Sequence, residues 1–121
     1  MEGLFSGKFL PKIEVEKPFQ NEKIKSPLFV AGVAGSTWFN KEETFEIELL
    51  DESGGRVATG KVFKTDERGE GDKPEMFHFK GAITFRTPKS KTGTLQFYRS
   101  KGENYDSSYP DTFSVPVLFE K

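Results

Sequence analysis

The sequence predicts an all-β fold, an antiparallel sandwich of about seven strands, and three observations carry that expectation. Apolar side chains recur at every second position in several short segments, the period of a half-buried strand. Aromatic residues make up 14% of the chain, with 13 Phe, 3 Tyr and 1 Trp, and bulky rings fit a pleated surface better than a helix. The 12 Gly and 7 Pro are spread between the alternating segments as turn punctuation. A small barrel is the alternative closure of the same strands.

The elements follow in chain order. Residues 1–12 read as a leader or linker, in which Leu4, Phe5, Phe9 and Leu10 offer an extra edge segment. Residues 13–121 form the domain. Ile13 and Val15 alternate with Glu14 and Glu16 until Pro18 stops the pattern. Ile24 to Ala34 is the most continuously apolar stretch and reads as one strand covered on both faces, with Gly32 and Gly35 marking close backbone approach or an exit turn. From Thr44 to Leu50, Phe45, Ile47 and Leu49 face inward and Glu46 and Glu48 outward. Asp51-Glu52-Ser53-Gly54-Gly55 is hairpin punctuation. The strand Arg56 to Lys64 shifts parity between Val57 and Val62, around Gly60, which suggests a bulge.

Thr65 to Glu75 reads as a polar loop. Beyond it Phe77, Phe79, Gly81, Ile83 and Phe85 take alternate positions, with His78, Lys80 and Thr84 between them. Leu95 and Phe97 face inward in the next strand, and Phe113, Val115, Val117 and Phe119 in the last. Pro116 has no amide donor, so its strand must be an edge or bulge there. Such a run of short strands suits an immunoglobulin-like sandwich.

Composition narrows the function. The net charge is -1 with both signs interspersed, whereas nucleic-acid binding needs a basic footprint. No apolar run has the length of a membrane span, and residues 1–11 lack the apolar middle of a signal peptide. With 0 Cys, disulfides and thiolate chemistry are absent. The single histidine, His78, takes an outward position between two phenylalanines, without the partners a general base or metal site requires. The acidic residues from Asp66 to Glu75 do not have calcium-loop spacing, and Lys73 dilutes their charge. Gly54-Gly55 and Gly69-Glu70-Gly71 are turns, since no Lys-Ser/Thr follows them. The chain therefore reads as a non-enzyme that needs no cofactor and no metal.

Binding candidates are aromatic. Trp38 and Phe39 sit between two strands, either as a stacking platform at a sandwich end or folded over the core; the core is favoured. Tyr98, Tyr105 and Tyr109 face the same choice, and Tyr98 has outward parity.

The order of these motifs resembles the immunoglobulin-like domain of bacterial spore germination. Ser26-Pro27-Leu28-Phe29-Val30-Ala31-Gly32-Val33-Ala34 is similar to its opening strand, Thr37-Trp38-Phe39 to the aromatic turn that follows, and Asp51 to Gly60 to its hairpin. Phe77 to Phe85, Gly93 to Phe97 and Val115-Pro116-Val117 resemble its later strands, so the resemblance runs from about Ile13 to Phe119. The chain departs from the pattern in an extra Gly55, a longer loop after Lys64, and Tyr105 to Pro110. The resemblance implies an extracytoplasmic, non-catalytic domain of bacterial envelope lipoproteins or secreted proteins. Loops or an open sheet edge point to another envelope protein as partner, and the aromatic candidates to a cell-wall glycan as the alternative, with the oligomeric state left open.

Overall fold

Alternation of inward and outward residues produces eight strands in the computed structural model, which describes residues 13–68, 76–100 and 112–120. They are β1 (Ile13–Lys17), β2 (Glu22–Ile24), β3 (Leu28–Gly35), β4 (Thr44–Asp51), β5 (Arg56–Arg68), β6 (Met76–Ile83), β7 (Thr92–Tyr98) and β8 (Thr112–Phe119). Hydrogen bonds join them in the order β1-β3-β6-β5-β4-β7-β8-β2. All pairs are antiparallel except β2 with β8.

The long β5 explains how one sheet makes two layers. Its first part, Arg56 to Phe63, pairs with β4. Its later part, from Val62 to Arg68, pairs with β6. The sheet thereby curls into an open half-barrel whose two halves face each other, one built on β1, β3 and β6, the other on β4, β7, β8 and β2. The rings of Phe45 on β4 and Phe79 on β6 meet edge-on across the gap, with centroids 5.1 Å apart. Phe79 also reaches Phe97 on β7 at 6.2 Å. Ile47, Leu49, Val62, Leu95 and Val117 fill the rest of this core, each essentially without solvent contact.

The fold is thus all-β and immunoglobulin-like, as expected, with one more strand than the sequence pattern suggests. The extra strand arises where the apolar run from Ile24 to Ala34 is divided. Pro27 has no donor for a ladder, so β3 starts at Leu28, while Ile24 belongs to β2 and pairs with Phe119 in the opposite layer. Coverage on both faces begins only at Gly32, because Phe29 points to solvent. Close approach at Gly32 is borne out: a methyl there would lie 2.8 Å from Cζ of Phe79 and collide with the Glu14 carbonyl.

The expected β5 bulge is present at the Val57 end of the interval, where Leu49 pairs Ala58 and Leu50 pairs Arg56, while pairing runs unbroken through Gly60. Two further expectations need correction. The strand predicted to end at Lys64 continues to Arg68, since pairing with β6 extends it; the rest of the acidic loop lies outside the described residues. Finally, β8 is flanked on both sides, by β7 and β2. Pro116 is tolerated because β2 pairing starts one residue later, at Glu22 with Val117. Its carbonyl still accepts the Asn21 N–H at 2.7 Å.

The Asp51 hairpin closes as its sequence dictates. Gly54 takes φ of 89°, a left-handed angle that favours glycine. The Asp51 carboxylate accepts from Ser53 N–H at 2.9 Å and Gly55 N–H at 2.8 Å. These donors hold its carboxyl below the usual range, with the Ser53 hydroxyl contributing most. The leader, residues 1–12, lies outside the described residues.

Candidate binding surfaces

Side chains that the core does not take up must organise the outside of each layer. On the β4-β7 layer, Glu48 stands opposite Gln96 of β7 and Thr59 of β5. Tyr98 stands opposite Glu46, which makes it a diagonal neighbour of Glu48, and Arg56 is its diagonal neighbour on the other side. Both reach the same carboxylate. The Tyr98 hydroxyl donates a short hydrogen bond to Oε1, and Arg56 Nε donates to Oε2 at 2.6 Å.

The electrostatics follow from that geometry. The phenol first and the guanidinium second hold the Glu48 carboxyl below the usual carboxylate range. The same hydrogen bond, with burial second, pushes the Tyr98 hydroxyl up to about 12. Glu48 is a weakened base and Tyr98 a weakened acid, so the pair is held away from the near-neutral poise that acid–base chemistry requires. The depression around them, about 530 Å³, is open and lined by Glu46, Arg56, Thr59 and Lys61 as well. A second open depression of about 570 Å³ lies over the β4–β5 hairpin end, lined by Asn21, Glu52, Thr92, Gln96 and Ser114. Its polar groups bond one another: Thr92 Oγ1 donates to Glu52 at 3.3 Å and Ser114 Oγ to Gln96 at 2.8 Å.

The aromatic candidates separate sharply. Trp38 closes a 3-10 turn, Ser36–Trp38, and its ring is only 2% exposed, packed 5.2 Å from Phe45. The expectation that it folds over the core holds, and it presents no free face for stacking. Phe39 is half-buried, with its ring 5.3 Å from Phe45. Tyr98 is half-buried with its hydroxyl committed to Glu48. Tyr105 and Tyr109 lie outside the described residues. Trp38, Phe39 and Tyr98 therefore do not form one exposed aromatic platform. His78 is half-buried at an outward position of β6. No group of acidic and histidine side chains among the described residues has the arrangement of a metal site.

The exposed aromatics are different residues. Phe29 is 65% exposed and Phe63 56%, although their chain neighbours Leu28, Val30 and Val62 are buried. Both stand on the outward face of the β3-β6-β5 layer. Phe29 pairs with Ala82, and Ala31 pairs with Lys80, which pairs with Phe63; Lys61 lies two residues before Phe63 on β5, one step beyond the first β5–β6 pair, Val62 with Gly81. The alternation rule already contained this result: where Val30 and Val62 face inward, Phe29 and Phe63 must face outward. Phe19, in the turn from β1 to β2, is also 66% exposed, whereas Phe113 keeps its ring 6.3 Å from Phe97.

The comparisons agree with the architecture. Neither a curated protein nor a solved structure matches the chain. A family model does match, over residues 12–103, and its description is the immunoglobulin-like domain of bacterial spore germination. The match stops before β8, so the resemblance of Val115-Pro116-Val117 to a closing strand falls outside it. The match takes in seven of the eight strands, from β1 to β7, including the turn at Trp38, the Asp51 hairpin and the outward face of Phe29 and Phe63. The chain belongs to the family of immunoglobulin-like domains of bacterial spore germination, a germination-related and generally non-catalytic kind of domain.

Proposed function

We propose that this domain is a non-catalytic binding and assembly module of the bacterial cell envelope, working outside the cytoplasm in germination. Membership in the germination family supports the setting. One observation carries the binding role: Phe29 and Phe63 stand more than half exposed on the same outward sheet face. Two large rings exposed on one sheet face, about 12 Å apart, support a contact site there. The best-formed constellation of ionisable groups, Glu48 with Tyr98 and Arg56, is locked by its own hydrogen bonds and supports a structural role. Burial of Trp38 withdraws one ring from a glycan platform, and the exposed Phe29 and Phe63 support a protein partner.

The test uses the tagged full-length protein in its native host. Protease added outside cells stripped of their wall should degrade it before lysis. The tagged chain should enrich one envelope protein that an unrelated β-sandwich with the same tag does not. Resistance to protease until lysis contradicts the location, and equal recovery with the unrelated domain contradicts the role.

A further inference from the structure

The outward face of β3, β6 and β5 has a pattern that goes further than exposure. One paired row of three residues crosses it, Ala31, Lys80 and Phe63; beside it lies the pair Phe29 and Ala82, with Lys61 next along β5, two residues before Phe63. The phenylalanines occupy opposite corners, about 12 Å apart on ordinary strand spacing and rise. Between them Ala82 is exposed and Ala31 half-buried, and both are too short to fill the space beside the rings. Lys61 and Lys80 are exposed, and no ion pair to either is found among the described residues; Lys61 sits where the two exteriors meet, opposite Glu46 of β4 and on the rim of the Glu48 depression.

We infer that this face docks a protein segment whose apolar side chains are flanked by aspartate or glutamate; this rests on the binding role proposed above. An aliphatic or aromatic side chain set on Ala82 would touch both phenyl rings, and carboxylates beside it would meet Lys61 and Lys80. Central apolar anchors with charges at the rim are the usual division of labour in an interface, and the lysines would steer an acidic partner and set its register. The other occupants fit less well. A second copy related by a two-fold axis would set Lys61 and Lys80 of one chain near those of the other. An anionic bilayer calls for a cluster of roughly four to eight basic residues; Lys17, opposite Ala31, adds one more cation here, and the exposed Glu14 and Glu16 of the same strand offset it. A glycan needs planar polar side chains for its hydroxyls, and the six residues supply none.

The probe is a phage-displayed peptide library, selected on the full chain and depleted on F29S/F63S. Enriched peptides should combine apolar residues with Asp or Glu. A synthetic peptide of the leading sequence should bind at least tenfold more weakly to F29S/F63S and to K61E/K80E. Exchanging the peptide's acids for lysine should restore binding to K61E/K80E. The lysine variant keeps both phenyl rings, so the test survives if F29S/F63S fails to fold. Basic or uncharged winners overturn the inference. So does Phe29- and Phe63-dependent self-association in sedimentation, or such binding to phosphatidylglycerol vesicles or muropeptides. Peptides that bind F29S/F63S as well as the parent chain sink this surface while leaving the binding role standing; that role fails separately, in the co-purification test.

Discussion

At the scale of single residues, the side chain with the sharpest physical consequence is Tyr98. Its hydroxyl holds Glu48 in the charged form, and Glu48 in turn resists ionisation of the phenol. The two effects give opposite limbs of a stability profile. A carboxyl lowered in the folded state adds stability above its ordinary titration and loses it as pH falls. A phenol raised from 10.0 to about 12 adds stability that is complete below pH 10 and lost between about 10 and 12. Tyr98→Phe should therefore cost about 1 kcal/mol near neutrality. It should also flatten the alkaline limb in urea-midpoint measurements across pH. Unchanged alkaline behaviour would show that the hydrogen bond is not formed in solution. Legibility at this scale was uneven. Outward parity marked Tyr98, but the convergence of Tyr98 and Arg56 on Glu48 depends on diagonal cross-strand neighbours, which one segment's pattern cannot supply. Trp38 was legible as a core residue because a large ring between two strands gains most by covering the end of the core.

At the scale of elements, two-residue periodicity was enough to find the strands and their inward residues. TFEIELL became β4 with Phe45, Ile47 and Leu49 buried. It failed where pairing overrides pattern. The Ile24–Ala34 run looked like one strand because both of its halves are apolar, yet they belong to different layers. The β5 bulge lies at the Val57 end of its expected interval, since register is set jointly with β4. Gly32 is the clearest case of local sequence meeting tertiary demand. A methyl there would press on Phe79 and on the β1 backbone. Gly32→Ala should destabilise the domain by about 1–3 kcal/mol, the usual cost of overpacking. Thermal or urea unfolding would show it. A variant as stable as the parent would mean that β1 is not packed against β3 as described.

At the scale of the whole molecule, the half-barrel sorts the chain into one shared interior and two unlike exteriors. The β4-β7 exterior is polar and bonded to itself through Glu48, Arg56, Tyr98, Gln96 and Ser114. The β3-β6-β5 exterior shows bare phenyl rings beside lysines with no ion pair among the described residues. The fold class was legible because burial repeats along every strand. The asymmetry was not, because it emerges only when β3, β6 and β5 are set side by side; each segment alone shows one outward phenylalanine at most. The sequence singles out Trp38, Phe39, Tyr98, Tyr105 and Tyr109 for binding, most of them amphipathic rings. The structure spends Trp38 on the core and Tyr98 on Glu48.

The most direct test of function through the phenyl-bearing face is site-specific photo-crosslinking in the native host. Benzoylphenylalanine would replace Phe29 or Phe63 and, as controls on the polar exterior, Thr59 or Gln96. We expect positions 29 and 63 to yield adducts with one envelope protein, at a peptide carrying Asp or Glu beside apolar residues. Adducts from 59 and 96 alone, or identical adducts from all four positions, would contradict it.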